Sequence, residues 1–158
     1  MNAGIETQDS GATPLTALLL MRQGLEYFAV LLTAAMEAVE LPPLTRIPDA
    51  PTYLLGMLTD RGAGVPVFDG GRILEVETLG ADEGVLVIVR DGERRIGLVV
   101  DEVEDVIMAD VTTMQQPMDS MRGGGVVRGV VQSGSRLVAV LDARALVRMG
   151  ARALPEVA

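Results

Sequence analysis

Four carboxylates fall within six residues in the run DEVEDV, residues 101–106. Acidic side chains at such close spacing could bind a metal ion or exchange protons with a substrate. The run lacks the repeated Asp/Asn and Gly pattern of a calcium loop, and alternate residues of a strand point to opposite faces, which would separate the acids. We therefore predict a solvated strand edge whose charges oppose aggregation, and we predict no metal site.

The amino-acid composition restricts catalysis more sharply than any motif does. The 158 residues include no histidine, cysteine or lysine, so a serine–histidine pair, a thiolate nucleophile and a zinc–thiolate site are all impossible. The loop Gly123-Gly124-Gly125 resembles a phosphate cradle only in composition, because no Lys-Ser or Lys-Thr pair follows it. We predict a protein that uses no cofactor and is not an enzyme, with a small Asp/Glu-dependent hydrolase as the remote alternative.

Charge and hydropathy indicate where the protein works. The formal net charge of −9 argues against binding to nucleic acid, which usually requires a basic face. Residues 1–13 are too polar for a secretory signal, and charged or amide side chains interrupt the apolar segment 15–39 before it could span a bilayer. We expect a soluble, cytoplasmic protein that does not insert into a membrane.

Strand patterns dominate the chain. We predict three hairpins, formed by residues 15–22 with 26–32, 84–90 with 95–108, and 126–132 with 136–142. Residues 33–40 are rich in Ala, Met and Glu and favour a short helix, and the residues from 143 onward have helical character. Residues 14–149 are expected to form the folded domain, between flexible tails at 1–13 and 150–158.

A weak internal repeat suggests two related lobes. VFDGGRIL, residues 67–74, matches VLDARALV, residues 140–147, in the pattern Val-apolar-Asp-x-x-x-apolar-apolar. In each copy the aspartate, Asp69 or Asp142, could end a strand and cap a short helix. Two such units predict two similar small β lobes within one chain.

Several short segments follow one another in a characteristic order. They are an apolar hairpin followed by Glu37, the pair Pro51 and Gly56, Arg61-Gly62, Val65-Pro66-Val67 with Asp69, Ile88-Val89, the segment 97–103, and the segment 137–146 with Leu141-Asp142. Taken together, and across residues 14–149, they resemble the CheW-like domain family. No single piece is diagnostic, but the order and spacing are fairly specific.

The resemblance implies a fold and a function. The fold is mainly β, with two side-by-side, interleaved five-stranded SH3-like barrels and short helices. The function is that of a non-catalytic chemosensory adaptor, which couples the cytoplasmic tip of a methyl-accepting chemoreceptor to the regulatory domain of a CheA-type histidine kinase. Such an adaptor would be cytoplasmic and recruited to membrane-associated receptor arrays. A CheW-like scaffold in another pathway, such as pilus motility or cyclic-nucleotide signalling, is the alternative.

The resemblance also assigns candidate contact residues. Those at receptor-facing positions are Ala35, Glu37, Arg61, Val103 and Val106. Those at kinase-facing positions are Leu44, Thr45, Ile47 and Gly56. Core packing is the alternative for the two valines and for residues 44, 45 and 47, whereas Gly56 could serve backbone geometry instead.

The dipeptide Asp60-Arg61 interrupts an apolar run. The resemblance implies that Arg61 pairs with Glu37, near the receptor-facing groove. Family members usually carry Asn-Leu before this Arg-Gly, whereas this chain has Thr59-Asp60. An unpaired buried carboxylate would be costly. We therefore expect that a local irregularity exposes Asp60, that another arginine pairs with it, or that the first lobe differs.

Overall fold

The computed structural model describes residues 14–77, 84–116 and 125–154. Within these ranges the strands are β1 (Thr16–Gln23), β2 (Glu26–Leu31), β3 (Ala35–Glu40), β4 (Leu54–Asp60), β5 (Ala63–Asp69), β6 (Val85–Asp91), β7 (Arg94–Val100), β8 (Glu102–Ala109), β9 (Val127–Ser133) and β10 (Arg136–Leu141). The α-helices are α1 (Gly70–Leu74) and α2 (Ala143–Ala153), and single turns of 3-10 helix cover Leu32–Ala34 and Val111–Thr113. The chain is therefore mainly β, as the sequence predicts.

The strands form two five-stranded sheets with the same topology. Sheet I has the order β8-β1-β2-β10-β9, and sheet II has the order β3-β6-β7-β5-β4. In each sheet, two antiparallel hairpins meet through one parallel pair, β2 with β10 or β7 with β5, and a fifth strand joins one edge. The predicted pair of five-stranded lobes is confirmed.

The two lobes are interleaved along the chain and share a core. Strands β1 and β2 belong to sheet I, β3 to β7 to sheet II, and β8 to β10 to sheet I again. Helix α2 then crosses back and packs against β6 and β7. One buried cluster includes Phe28 from sheet I, Phe68 and Leu98 from sheet II, and Leu146 from α2. Both sheets bury side chains in this shared cluster, and each sheet also has a smaller buried cluster of its own.

The helix expected at residues 33–40 is wrong. The chain makes one 3-10 turn and then runs as β3, which pairs antiparallel with β6 from Ala35 opposite Val89 to Glu40 opposite Val85. Pairing with a strand that lies far away in the sequence satisfies the backbone groups of this segment, and it outweighs the modest helix propensity of Ala, Met and Glu.

The strand expected at residues 95–108 is two strands in different sheets. Strand β7 ends at Val100 in sheet II, and β8 begins at Glu102 in sheet I. Asp101, between them, is the residue at which the chain passes from one lobe to the other. The apolar and acidic residues of this segment follow one another without a Gly or Pro at Asp101, so the sequence does not predict that the strand ends there.

The two copies of the repeat have the predicted caps. Oδ1 of Asp69 accepts a hydrogen bond from Gly71 N at 2.9 Å, at the start of α1. Oδ1 of Asp142 accepts from Arg144 N at 2.9 Å and Ala145 N at 3.3 Å, at the start of α2. Helix α2 continues past residue 149 to Ala153, whose side chain is buried. No helix in the described parts of the chain is long and apolar enough to cross a bilayer.

Candidate functional site

Strand β3 carries the first two receptor candidates. Ala35 is half-buried and packs against the shared core, whereas Glu37 is exposed. The register shifts between these two residues, so that Glu37 lies opposite Ile88 of β6. Because β3 is the edge strand of sheet II, no described strand pairs with its outer side.

Arg61 lies in the turn between β4 and β5, where it has a φ of 54° and is exposed. The expected ion pair with Glu37 is wrong, because the two side chains form no salt bridge in the described structure. Glu37 belongs to one edge strand of sheet II, and Arg61 follows the edge strand at the other end of the strand order. The guanidinium of Arg61 therefore has no carboxylate partner among the described residues.

Asp60 is paired by another arginine, which is one of the three expected alternatives. A guanidinium nitrogen of Arg95 on β7 contacts Oδ2 of Asp60, and a second one donates to the backbone oxygen of Asp60 at 3.3 Å. The side chains of Arg95 and Asp60 are only 16% and 22% exposed. Strand β5 lies between β4 and β7, so this ion pair ties the ends of three neighbouring strands together.

Strand β8 carries the other receptor candidates at the edge of sheet I. Val103 lies opposite Met21 of β1 and packs against the shared core, while Val106 lies opposite Leu19 and is 45% exposed. Val103 is therefore partly a core residue, as the alternative interpretation predicts, whereas the side chain of Val106 is accessible to a partner.

The acids of β8 are organised by Arg22 of β1. Arg22 Nη2 lies 3.7 Å from Glu102 Oε1, and its Nε lies 3.5 Å from Glu104 Oε2. The hydrogen bond and negative charge of Glu104 raise the pKa of Glu102, whereas the same hydrogen bond lowers the pKa of Glu104. Glu102 is therefore the first of the pair to take up a proton as the pH falls.

The acids of β8 are not arranged as a metal site. The predicted strand edge is confirmed, since β8 is the outermost strand of its sheet. Within the described ranges, no cluster of three or more acidic side chains could hold a metal ion. Of the glycine loop considered above, Gly123 and Gly124 lie outside the described residues.

Three kinase candidates form one local unit beside β4. Thr45 and Met57 exchange two backbone hydrogen bonds, Thr45 N to Met57 O at 2.9 Å and Met57 N to Thr45 O at 2.7 Å. A Cβ at Gly56 would lie 2.6 Å from the carbonyl oxygen of Thr45. The glycine thus allows the segment around Leu44 and Thr45 to lie directly on the strand, which agrees with the structural alternative stated for it.

The apolar kinase candidates pack on different clusters. Leu44 is half-buried against a cluster in sheet II that contains Val65 and Val67, and Ile47 is half-buried against the shared core. Thr45 is exposed. The exposed part of this unit is therefore the side chain of Thr45, flanked by the partly covered Leu44 and Ile47.

A buried polar link joins the lobes near β8. Gln23 is 1% exposed, and its Oε1 accepts from Asp101 N at 3.2 Å. Gly24 N in turn donates to Asp101 Oδ2 at 2.8 Å. The β1–β2 hairpin of sheet I therefore holds the residue at which the chain leaves sheet II, and this fixes the base of β8.

Comparison with known proteins now identifies the family. The sequence model of the CheW-like domain matches residues 17–151. The chain belongs to the CheW-like domain family. It is 28% identical over 128 residues to the chemotaxis protein CheW of Rhizobium meliloti (strain 1021), covering 79% of this chain and 83% of the relative. It is 26% identical over 132 residues to the chemotaxis protein CheW of Bacillus subtilis (strain 168), covering 82% of this chain and 84% of the relative.

A solved CheW structure has the same fold. The crystal structure of the scaffolding protein TtCheW from Thermoanaerobacter tengcongensis superposes with a TM-score of 0.75, at 20% identity, over 83% of this chain and 86% of that chain. The two interleaved five-stranded sheets are therefore the CheW architecture, and the recognition made from short sequence segments is confirmed.

Two features of this CheW-like chain could not be found from its sequence. Arg95 is one of thirteen arginines, and nothing near it in the sequence indicates Asp60 as its partner. In the sequence, Gln23 is only one polar residue in an apolar segment, although its buried side chain links the two lobes. Both contacts join residues more than thirty positions apart.

Proposed function

We propose that this chain is a non-catalytic chemosensory adaptor, which binds a methyl-accepting chemoreceptor tip and the regulatory domain of a CheA-type histidine kinase. The observation that carries the proposal is the match of the CheW-like domain to nearly the whole chain, residues 17–151. The relatives reported above are chemotaxis proteins by name, which supports chemotaxis over another chemosensory pathway. The protein would act in the cytoplasm, at membrane-associated receptor arrays.

The composition supports a role without catalysis. A chain that lacks histidine, cysteine and lysine has few side chains that can act as a nucleophile or base near neutral pH. Binding surfaces need none of these residue types. In this proposal the protein contributes contact area and orientation, and the kinase contributes the phosphoryl-transfer chemistry.

The receptor surface in this proposal includes Glu37 on β3 and Arg61 after β4, at the two ends of the strand order of sheet II, and Val106 on the edge strand β8 of sheet I. Ala35 on β3 and Val103 on β8 are their half-buried neighbours. The three exposed side chains offer a carboxylate, an unpartnered guanidinium and an apolar contact. A free guanidinium suits carboxylates, because its planar fork can donate two parallel hydrogen bonds. Arg61 would therefore pair with an acidic side chain of the receptor rather than with Glu37.

The receptor surface is tested by reconstituting the purified chain with its kinase and a receptor fragment. Arg61→Ala and Val106→Asp are each expected to lower receptor-dependent kinase activation several-fold, because each removes a complementary contact at an interface. The matched controls are Arg94→Ala, an exposed arginine at the start of β7, and Leu137→Asp, an apolar side chain that is 68% exposed on β10. Normal coupling by folded Arg61→Ala and Val106→Asp would refute this surface.

The kinase surface consists of Leu44, Thr45 and Ile47, supported by Gly56. Thr45→Arg adds a bulky charge at the exposed side chain and leaves the backbone bonds to Met57 in place. We expect this variant to weaken binding to the isolated kinase regulatory domain at least tenfold, measured by calorimetry, while receptor binding is unchanged. Thr52→Arg, at another exposed threonine, is the control. Equal loss in both variants, or in neither, would contradict the assignment.

A further inference from the structure

A cavity of about 500 Å³ lies where the two sheets meet the start of helix α2. Its walls come from the end of β2 and the following 3-10 turn, from the β6–β7 turn, from β9, and from the first residues of α2. None of the receptor or kinase candidates lines it. Clefts of this volume, at a junction between structural units, are typical of small-molecule sites.

Three arginines from three different elements line this cavity. Arg90 lies near the end of β6, Arg128 lies on β9, and Arg144 lies in the first turn of α2. None of them forms an ion pair, or a side-chain hydrogen bond, with any described residue. Three other described arginines are paired with carboxylates, and Arg136 lies 4.3 Å from the centre of the Tyr27 ring. The remaining described arginines, Arg46, Arg61, Arg94, Arg148 and Arg152, are exposed and unpaired, as the three lining arginines are, but they do not line the cavity. Cations without partners are thus brought together at a cleft in a chain whose net charge is −9.

The other lining residues neutralise these arginines only in part, since Asp91 and Asp142 set two negative charges against three positive ones. Asp142 lines the cavity, but its Oδ1 already accepts from two backbone N–H groups at the start of α2. Asp91, the last residue of β6, is exposed and pairs with no described arginine. Leu31, Ala34 and Leu141 give the cavity an apolar wall. The cavity therefore combines positive charge with an apolar surface.

We propose that this cavity binds a small phosphate-bearing metabolite of nucleotide size. Its phosphate oxygens would accept hydrogen bonds from Arg90, Arg128 and Arg144, whose planar forks match phosphate geometry. Its ring would lie against the apolar wall, and its hydroxyl or amino groups could donate to Asp91. A small ligand is favoured over an acidic peptide because the cavity has the volume of a single small molecule and an apolar wall. The proposal does not depend on the adaptor function.

The test is calorimetric titration of the purified full chain at low salt with ATP, GTP and inorganic pyrophosphate. At least one nucleotide should bind, more tightly than pyrophosphate because only the nucleotide can use the apolar wall, and binding should weaken as salt is added. Because hydrogen bonds to charged groups are stronger than those between neutral groups, Arg128→Ser and Arg144→Ser should each weaken binding about tenfold or more. Arg148→Ser is the matched control, because it removes an exposed arginine of the same helix that does not line the cavity.

Several outcomes would overturn the proposal. The first is that no probe binds with a dissociation constant of about 1 mM or lower. The second is that Arg148→Ser loses as much affinity as Arg128→Ser and Arg144→Ser. The third is that a hexaglutamate peptide binds more tightly than any nucleotide. Pyrophosphate binding as tightly as the nucleotides would overturn the role of the apolar wall. Circular dichroism confirms that the variants are folded, and Arg144→Lys, which keeps the charge but not the fork, should retain part of the affinity if the arginine binds phosphate.

Discussion

At the scale of single residues, the pair of Asp60 and Arg95 shows how this chain accommodates a charge within an apolar run. Both side chains are largely shielded from solvent, so each charge depends on the other. The neighbouring Arg61 is left without a carboxylate partner among the described residues and remains exposed. Asp60 and Arg61 are therefore adjacent in the sequence, but only Asp60 belongs to an internal ion pair.

Removing one member of this pair tests its contribution to stability. Asp60→Ala should lower the free energy of unfolding by roughly 1–3 kcal/mol, because the charge of Arg95 would stay shielded without its partner. Urea denaturation measures the change. Arg94→Ala, at an exposed residue, should change stability by less than about 0.5 kcal/mol. Equal stability of the two variants would show that the pair contributes nothing.

At the scale of elements, the segment between β3 and β4 depends on close backbone contact. Thr45 bonds to Met57 through two backbone hydrogen bonds, and Gly56 leaves room for this approach. The segment has little regular structure of its own, so its position is set by the strand beneath it. A change at the glycine would therefore move the proposed kinase surface without altering any of its exposed side chains.

Gly56→Ala tests this dependence. The new Cβ would lie 2.6 Å from the carbonyl oxygen of Thr45 and 3.1 Å from Leu44 Cβ, so the segment must shift. We expect a loss of roughly 1–3 kcal/mol in stability, which is typical of overpacking, together with weaker binding of the kinase regulatory domain. Gly125→Ala is the control, since its Cβ would meet no atom within 4 Å. A stable Gly56→Ala variant would show that the segment is free to move.

At the scale of the whole molecule, the two lobes behave as one structural unit. The chain alternates between the two sheets, and both sheets contribute to one shared buried cluster. Helix α2 follows β10 of sheet I but packs against β6 and β7 of sheet II. The link from Gln23 to Asp101 lies at the point where the chain crosses between them. Both proposed partner surfaces are therefore held on one framework, as an adaptor that joins two proteins requires.

Gln23→Leu tests whether the lobes are coupled. The substitution leaves Asp101 N–H without its buried acceptor, which should cost roughly 1–3 kcal/mol. Because the core is shared, amide-exchange protection should fall together at Phe28 in sheet I and Leu98 in sheet II. Gln132→Leu, at an exposed glutamine bonded to Gly134 O, is the control. Loss of protection in only one sheet would mean that the lobes open independently.

Local chemistry in the sequence was sufficient for the family, the two lobes, the hairpins and the helix caps. Gly24, Gly92 and Gly134 occupy hairpin turns with positive φ, and Asp69 and Asp142 cap the helices that follow them. These features depend on residues a few positions apart, so short segments of the sequence are enough to predict them.

Long-range contacts decided the remaining features. Residues 35–40 form a strand because β6 offers an edge, the chain changes sheets at Asp101, and Asp60 finds Arg95 across β5. The same holds for the cavity, whose arginines come from three elements that only folding brings together. Each of these contacts joins residues far apart in the chain, and its free energy depends on burial and geometry that no short segment contains.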